Sequence, residues 1–293
     1  MTNTIREVTL AYFSGTGGTK AAVDCFKEQF DESGIKVNVV PVSSYHTYQG
    51  EKSDLLVICS PVYAFRLASI VEDWVKGLPE VQDTPAAIIS VSGGGEVSPN
   101  TACRVHCGRL LKRKGYHVVY EKMLVMPSNF ASKAEEQLNY SLINILPRKV
   151  ERIVSDLLAG KRNITYPKFQ DRIFAGIGKA EHFGARVFGT SIKVSKECNQ
   201  CGLCVKNCPK QNITMKQGSP AFGFQCIWCL KCIYACPRKA LSPGILKFSV
   251  LDNGYDLKEM SEKAQLQHQI EYSGSPNMLW QGVVDYLNEQ IND

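Results

Sequence analysis

Eight of the chain's twelve cysteines stand in two runs with one spacing. Cys198, Cys201, Cys204 and Cys208 lead into Pro209, and Cys226, Cys229, Cys232 and Cys236 lead into Pro237. Each run reads C-x2-C-x2-C-x3-C-P. Three thiolates on one tight loop can take three corners of an iron–sulfur cubane, and the fourth, beyond the curve of the chain, reaches a second cubane. The spacing therefore predicts one [4Fe–4S] cluster on Cys198, Cys201, Cys204 and Cys236, and another on Cys226, Cys229, Cys232 and Cys208. A zinc ribbon uses two separated ligand pairs per metal, not triplets with a trailing fourth. Structural disulfides belong to an oxidising compartment, and residues 1–7 lack the apolar stretch of a secretion signal.

The runs are also an internal repeat. Cys198 to Gly218 and Cys226 to Gly244 align at an offset of 28 residues, and Cys-Pro-Lys-Gln at 208–211 faces Cys-Pro-Arg-Lys at 236–239. Two similar halves, each supplying the other's fourth ligand, predict a compact pseudo-twofold unit. Residues 191–246 resemble the two-cluster bacterial ferredoxins over their full length, which implies a small α+β domain with its clusters close together.

The first 160 residues alternate strand and helix. Apolar strands are expected at Val8–Phe13, Ile35–Val40, Asp54–Ser60, Ala86–Val91 and His117–Met126, with helices at Gly17–Phe30, Leu67–Leu78 and Thr101–Lys114. Strands apolar throughout and joined by helices predict a parallel sheet covered on both faces. Right-handed crossovers make it doubly wound. Ala134–Gly160 is expected to be helical, with Pro147 at the first turn of a second helix.

Directly after the first strand comes Ser14-Gly15-Thr16-Gly17-Gly18-Thr19, then helix. Such a turn aims backbone N–H groups and the helix dipole at an anion, and its hydroxyls can donate to phosphate oxygens. Neither the dinucleotide fingerprint nor the G-K-[ST] of a nucleoside-triphosphate loop is present. The loop resembles that of the flavodoxin family, and the resemblance implies a five-stranded sheet of order 2-1-3-4-5 binding FMN at its switch point. Two further loops would then meet the flavin: Ser60-Pro61-Val62-Tyr63-Ala64 after the third strand, with Tyr63 stacking on the ring, and Ser92-Gly93-Gly94-Gly95 before Glu96. Where many flavodoxins carry glycine in the third-strand loop, this chain has Ala64 and Phe65. The segment Met126-Pro127-Ser128-Asn129-Phe130 follows the fifth strand, and Asn129 either contacts flavin or substrate or caps the next helix. The whole chain resembles an anaerobe family of flavodoxin–ferredoxin fusion proteins.

The expected organisation is an FMN-binding domain over residues 1–165, a helical connector over 166–190, the two-cluster domain over 191–246 and an acidic extension over 247–293. In the connector Ile173, Phe174, Ile177, Ala180, Gly184, Val187 and Phe188 recur at helical spacing, so a helix pressed between the domains is expected. Residues 191–250 carry nine basic side chains against the single acid Glu197, whereas residues 251–293 carry two against eight. The basic surplus surrounds anionic clusters, so it reads as tuning them or steering an acidic partner and not as a nucleic-acid footprint. The acidic tail carries Trp280, Val283, Val284 and Leu287 on one helical face, and its negative charge could lie on the basic unit, though attraction between solvated charges is weak. Cys25, Cys59, Cys103 and Cys107 read as core. No apolar run approaches the roughly 20 residues of a membrane span. These features imply a cytoplasmic electron-transfer protein acting on a redox partner protein or a small acceptor, as a monomer or a homodimer. The alternative is an FMN-dependent reductase with its substrate near Tyr63, Glu96 and Asn129.

Overall fold

Uninterrupted apolar segments build the amino-terminal sheet. The computed structural model describes residues 5–44, 53–267, 272 and 280–289, with the side chains of 177–182 excepted. Strands β1 (Glu7–Tyr12), β2 (Lys36–Pro41), β3 (Leu55–Tyr63), β5 (Thr84–Ser92) and β6 (Tyr116–Val125) pair in parallel in the order β2-β1-β3-β5-β6. The short β4 (Arg66–Leu67) folds back antiparallel on β3. Leaving that hairpin aside, the order is the flavodoxin-like 2-1-3-4-5 of a doubly wound sheet, as the loop resemblance implied.

Each face of the sheet is covered. Helices α1 (Gly18–Glu32) and α4 (Glu136–Leu158) set Phe26, Phe30, Leu146 and Val150 against Leu10, Val57 and Ile89. On the other face, α2 (Ser69–Lys76) and α3 (Val105–Arg113) set Val71, Cys107 and Leu111 against Ile58 and Ile88. Cys59, Cys103 and Cys107 are buried in this core, in line with their structural reading. The segment expected to be helical from Thr101 starts instead with a 3-10 turn over Asn100–Ala102. The expected break at Pro147 is absent: α4 is one helix, with the proline inside it. Leu142, Ile145, Leu146, Lys149 and Val150 are all buried around Pro147, and their packing holds the helix through the missing hydrogen bond.

A second helix of 23 residues, α5 (Phe169–Ser191), forms the connector. Asp171 at its start accepts hydrogen bonds from Ser98 Oγ at 2.5 Å and from Thr101 Oγ1. At its end Phe188 is buried. Between them the helix is less covered than its aromatics suggested, since Ile173, Phe174 and Phe183 remain exposed. Ile177 and Ala180 lie outside the described side chains.

The iron–sulfur unit is an α+β fold with local twofold symmetry. Strands β7 (Lys193–Val194) and β10 (Leu241–Ser242) pair antiparallel, as do β8 (Ile213–Lys216) and β9 (Ser219–Phe222), around α6 (Leu203–Asn207) and α7 (Lys231–Tyr234). The repeat is visible in the backbone. Positive φ occurs at Gln200, Gly202, Gln211 and Gly218, and again 28 residues on at Trp228, Leu230, Lys239 and Leu246. The partner of Gly218 is therefore Leu246, two residues beyond the Gly244 expected from the alignment.

The first residues of the acidic extension touch the basic unit, where Tyr234 Oη accepts from Leu251 N–H and its ring meets that of Tyr255, but the helices of the extension lie elsewhere. Its helices α8 (Leu257–Gln267) and α9 (Gln281–Asn288) pack on the amino-terminal part. Trp280, Val283, Val284 and Leu287 share a cluster with Val125, Leu138, Leu142 and Ile145. Glu289 pairs with Lys122 at 2.9 Å, and Asn144 Nδ2 donates to the Ala264 carbonyl at 2.9 Å. Apolar complementarity outweighs net charge here, because attraction between solvated charges is weak. No helix of the described residues is long and apolar enough to cross a membrane.

Candidate cofactor sites

The carboxyl ends of β1, β3, β5 and β6 surround a cavity of about 500 Å³, within the usual range for a bound small molecule. One end is polar. Ser14, Gly15, Thr16, Gly18 and Thr19 line it where α1 begins, so the amino terminus of that helix faces the cavity. Ser14 Oγ accepts from the Gly17 and Lys20 N–H groups, which fixes the turn. Asn129 Nδ2 donates to Thr16 Oγ1 at 2.6 Å. Asn129 thus lines the cavity, and the residue before α4 is Glu135, so it caps no helix.

Aromatic side chains form much of the remaining wall, and Tyr63 Oη reaches back to Gly15. Pro61, Val62, Tyr63, Ala64, Ser92, Gly93 and Gly94 line the cavity as expected, and Phe65, Phe130, Trp228, Tyr255 and Trp280 join them. Ala64 and Phe65 form the turn between β3 and β4, at φ 43° and 62°. Two-residue hairpins of the primed type need positive φ at both central positions, which glycine normally supplies.

Three expected residues stand behind the cavity wall. Gly17 packs near Leu257, and Gly95 packs on the backbone of Gly282. Ser60 Oγ donates to the Pro61 carbonyl at 3.0 Å and accepts from Ala68 N–H at 3.1 Å, so it shapes the hairpin and does not reach the cavity. Glu96 also turns away, pairing with the buried Arg104, whose guanidinium donates in addition to Ser90 Oγ and Thr165 Oγ1. Among the described residues that line the cavity there is no Asp, Glu, His, Lys or Arg. Its titratable groups are Tyr63 and Tyr255, both held above the ordinary tyrosine pKa, chiefly by burial.

The eight cysteines divide as their spacing required. Cys198, Cys201, Cys204 and Cys236 surround one hollow, and Cys208, Cys226, Cys229 and Cys232 another. Among the described residues no three His, Cys, Asp or Glu side chains converge on a single-ion site. Backbone N–H groups of Asn212 and Ala240 donate to Cys208 and Cys236 Sγ, both at 3.3 Å, again one repeat apart.

The two sites abut. A Cβ on Gly15 would lie 2.5 Å from Tyr63 Oη and 2.8 Å from the Cys229 carbonyl oxygen, so only glycine lets the phosphate-loop turn approach the cysteine loop. Trp228 lies between Cys226 and Cys229 in sequence and lines the cavity, stacked on Phe188 at 5.0 Å and edge-on to Phe130 at 5.6 Å. Tyr234 Oη donates to the Asn129 carbonyl at 2.7 Å, and Ser44 donates from N–H and Oγ to the Pro209 carbonyl. Sequence reasoning missed Trp228, Tyr255 and Trp280. For Trp228 a signal existed, because Ile227-Trp228 replaces the polar Asn199-Gln200 of the first repeat.

Residues 197–241 match the 4Fe-4S dicluster domain family, so the two quartets belong to a two-cluster iron–sulfur module. No curated protein matches the chain. Solved structures similar to it include a flavodoxin of Streptococcus pneumoniae, at 15% identity over 52% of this chain and 98% of that one, TM-score 0.40. Flavodoxin 2 of Bacillus cereus matches at 16% identity over 52% and 97%, TM-score 0.38. A cysteine-to-serine mutant of the flavodoxin from Pseudomonas aeruginosa matches at 12% identity over 53% and 97%, TM-score 0.41. The fold assignment rests on the strand order, independently of these likenesses.

Proposed function

We propose that this protein is an electron-transfer iron–sulfur flavoprotein of the flavodoxin–ferredoxin fusion type, passing single electrons between two [4Fe–4S] clusters and FMN. The observation that carries the reading is the contact of the inner cysteine loop with the phosphate-loop turn, Cys229 against Gly15, at the wall of the cavity. A hydroxyl- and N–H-lined end suits a phosphate, and an aromatic wall suits a ring system, so the residues present fit FMN. Ser14, Thr16 and Thr19 would hold the phosphate, while Tyr63, Gly93, Gly94 and Trp228 would enclose the ring. The cofactor would supply storage of two electrons that can leave one at a time.

The same lining favours a carrier over a reductase. A reductase that protonates its substrate needs a donor near the flavin. Glu96 is engaged by Arg104, no other carboxyl, imidazole or ammonium group lines the cavity among the described residues, and burial makes Tyr63 and Tyr255 weaker acids than a free tyrosine. The physiological partner is then a redox protein in the cytoplasm of an anaerobe, with a small acceptor or a homodimeric partner as the outcomes that would replace it. Anaerobic purification tests composition: about eight iron per chain and one FMN are expected, and four iron or bound zinc would overturn the reading. Rapid mixing of the reduced protein tests role. Electron exchange with redox proteins, and no turnover of small acceptors, is expected of a carrier.

A further inference from the structure

The two cysteine quartets have unlike surroundings. The inner one is walled by the amino-terminal part: Cys229 is buried, Gly15 touches its carbonyl, and Gly189 of α5 packs on Cys226. The outer one, Cys198, Cys201, Cys204 and Cys236, faces solvent, with Cys201 exposed. Leu203 and Met215 line its hollow and are 38% and 40% exposed, which gives this face an apolar centre. Around it in the chain stand the exposed Lys196, Lys206, Lys216 and Lys239, and Arg238 lines the hollow itself. Arg238 reaches Glu197 at 3.6 Å, and Glu197 is the single acid of residues 191–250. Among the described residues no carboxylate pairs with those four lysines. The described helices of the acidic tail pack elsewhere, against α4 and β6.

An exposed apolar centre in a segment rich in exposed lysines has the form of a transient protein interface, where basic charge steers the encounter and the apolar centre gives contact. We infer that the face around Cys201 is the docking surface for an acidic protein carrying a one-electron centre, and that the outer cluster is the entry point of the chain. The inference rests on the electron-transfer reading above. At each encounter one electron leaves the partner's reduced iron–sulfur or flavin centre, which is oxidised by one. The outer cluster is reduced by one, and no bond forms or breaks. The inner quartet, set against the amino-terminal part with Cys229 buried, would hold the cluster that exchanges electrons within the chain.

The test uses the cluster-loaded full chain and two reductants under stopped flow: a reduced, strongly acidic ferredoxin, and the methyl viologen radical cation. The rate with the acidic ferredoxin is expected to fall at least tenfold as salt rises from low to physiological strength. The viologen rate should stay level or rise, since the lysines repel a cation. In K206E/K216E/K239E the ferredoxin rate at low salt should fall at least tenfold while the viologen rate does not, with iron content unchanged. A ferredoxin rate indifferent to both salt and variant overturns the inference. So does tight, salt-sensitive binding of a single-stranded RNA 20-mer that competes with the ferredoxin. If the variant loses iron, the salt dependence of the unaltered protein decides alone. Failure of intramolecular transfer after viologen reduction would instead sink the electron-transfer reading, so the two failures are distinguishable.

Discussion

Thr19 is 2% exposed and sits in the first turn of α1, where its hydroxyl lines the polar end of the cavity. A neutral hydrogen bond contributes about 1 kcal/mol net, so Thr19→Ala is expected to weaken FMN binding by about fivefold, read by fluorescence titration of the flavin-free, cluster-loaded protein. Unchanged affinity would remove the phosphate from this end of the cavity. Gly15→Ala should act differently. Its methyl group would collide with Tyr63 Oη and the Cys229 carbonyl, so it separates the two cofactor sites and is expected to slow electron transfer within the chain more than it lowers cluster content. Buried thiols make the third residue-scale case. Burial pushes Cys103 up to about 11 from 9.0 and raises Cys59 and Cys107 further. A raised acid keeps its proton in the folded chain while the unfolded chain ionises, so its stability is whole below pH 9 and is lost as pH rises toward the folded value. Each such thiol costs about 1.4 kcal/mol per pH unit in that window. The thermal midpoint should therefore fall between pH 9 and 10.5, and fall less in Cys103→Ala than in the parent.

At the scale of elements, the 28-residue repeat explains why residues as different as Gln200 and Trp228, or Gly202 and Leu230, share a left-handed backbone. A loop that wraps three cysteines around a cubane needs that turn whatever side chain occupies it, and the cluster's bonds outweigh a strain of about 1–2 kcal/mol per residue. The side chains are then free to diverge, and Trp228 became a wall of the neighbouring cavity. Helix α9 shows the reverse, an element placed chiefly by its apolar face, with Lys149 donating to the Tyr286 carbonyl and Glu289 pairing with Lys122 at its end. Truncation after residue 267 removes α9 and Trp280 and opens the aromatic wall of the cavity. FMN affinity is expected to drop tenfold or more while iron content stays level, by metal analysis of the same sample. Loss of iron in parallel would mean that the tail supports the iron–sulfur unit instead.

For the molecule as a whole, the arrangement forms one path: the outer quartet with Cys201 exposed, the inner quartet with Cys229 buried, then the cavity wall at Gly15, Tyr63 and Trp228. Electron tunnelling weakens steeply with distance, so the contact of Cys229 with the phosphate-loop turn decides whether transfer can be fast inside one chain. After reduction of the outer cluster, the rate of flavin reduction is expected to be independent of protein concentration. A rate rising in proportion to concentration would place the transfer between chains.

Much of this was legible in the sequence because it is local. The division of eight cysteines follows from spacing, the 2-1-3-4-5 sheet from apolar strands and crossovers, and the cavity's polar end from the Ser14–Thr19 turn. Boundaries were less legible: Pro147 breaks a helix in isolation but not one whose neighbours are buried on both sides of it. What no local pattern carries is the relation between parts. Net charge offered the basic unit as one place for the acidic tail, and apolar packing set its helices against α4 instead. Ser60, Gly95 and Glu96 sit in the right loops yet face away, because a strand's alternation and a buried arginine decide orientation. Trp228, Tyr255 and Trp280 reach the cavity from the far part of the chain, well beyond the loops that form its other walls. Spacing encodes what a short stretch of chain must do with its own backbone and ligands; only tertiary packing, which sums weak apolar contacts across distant segments, decides which stretches meet.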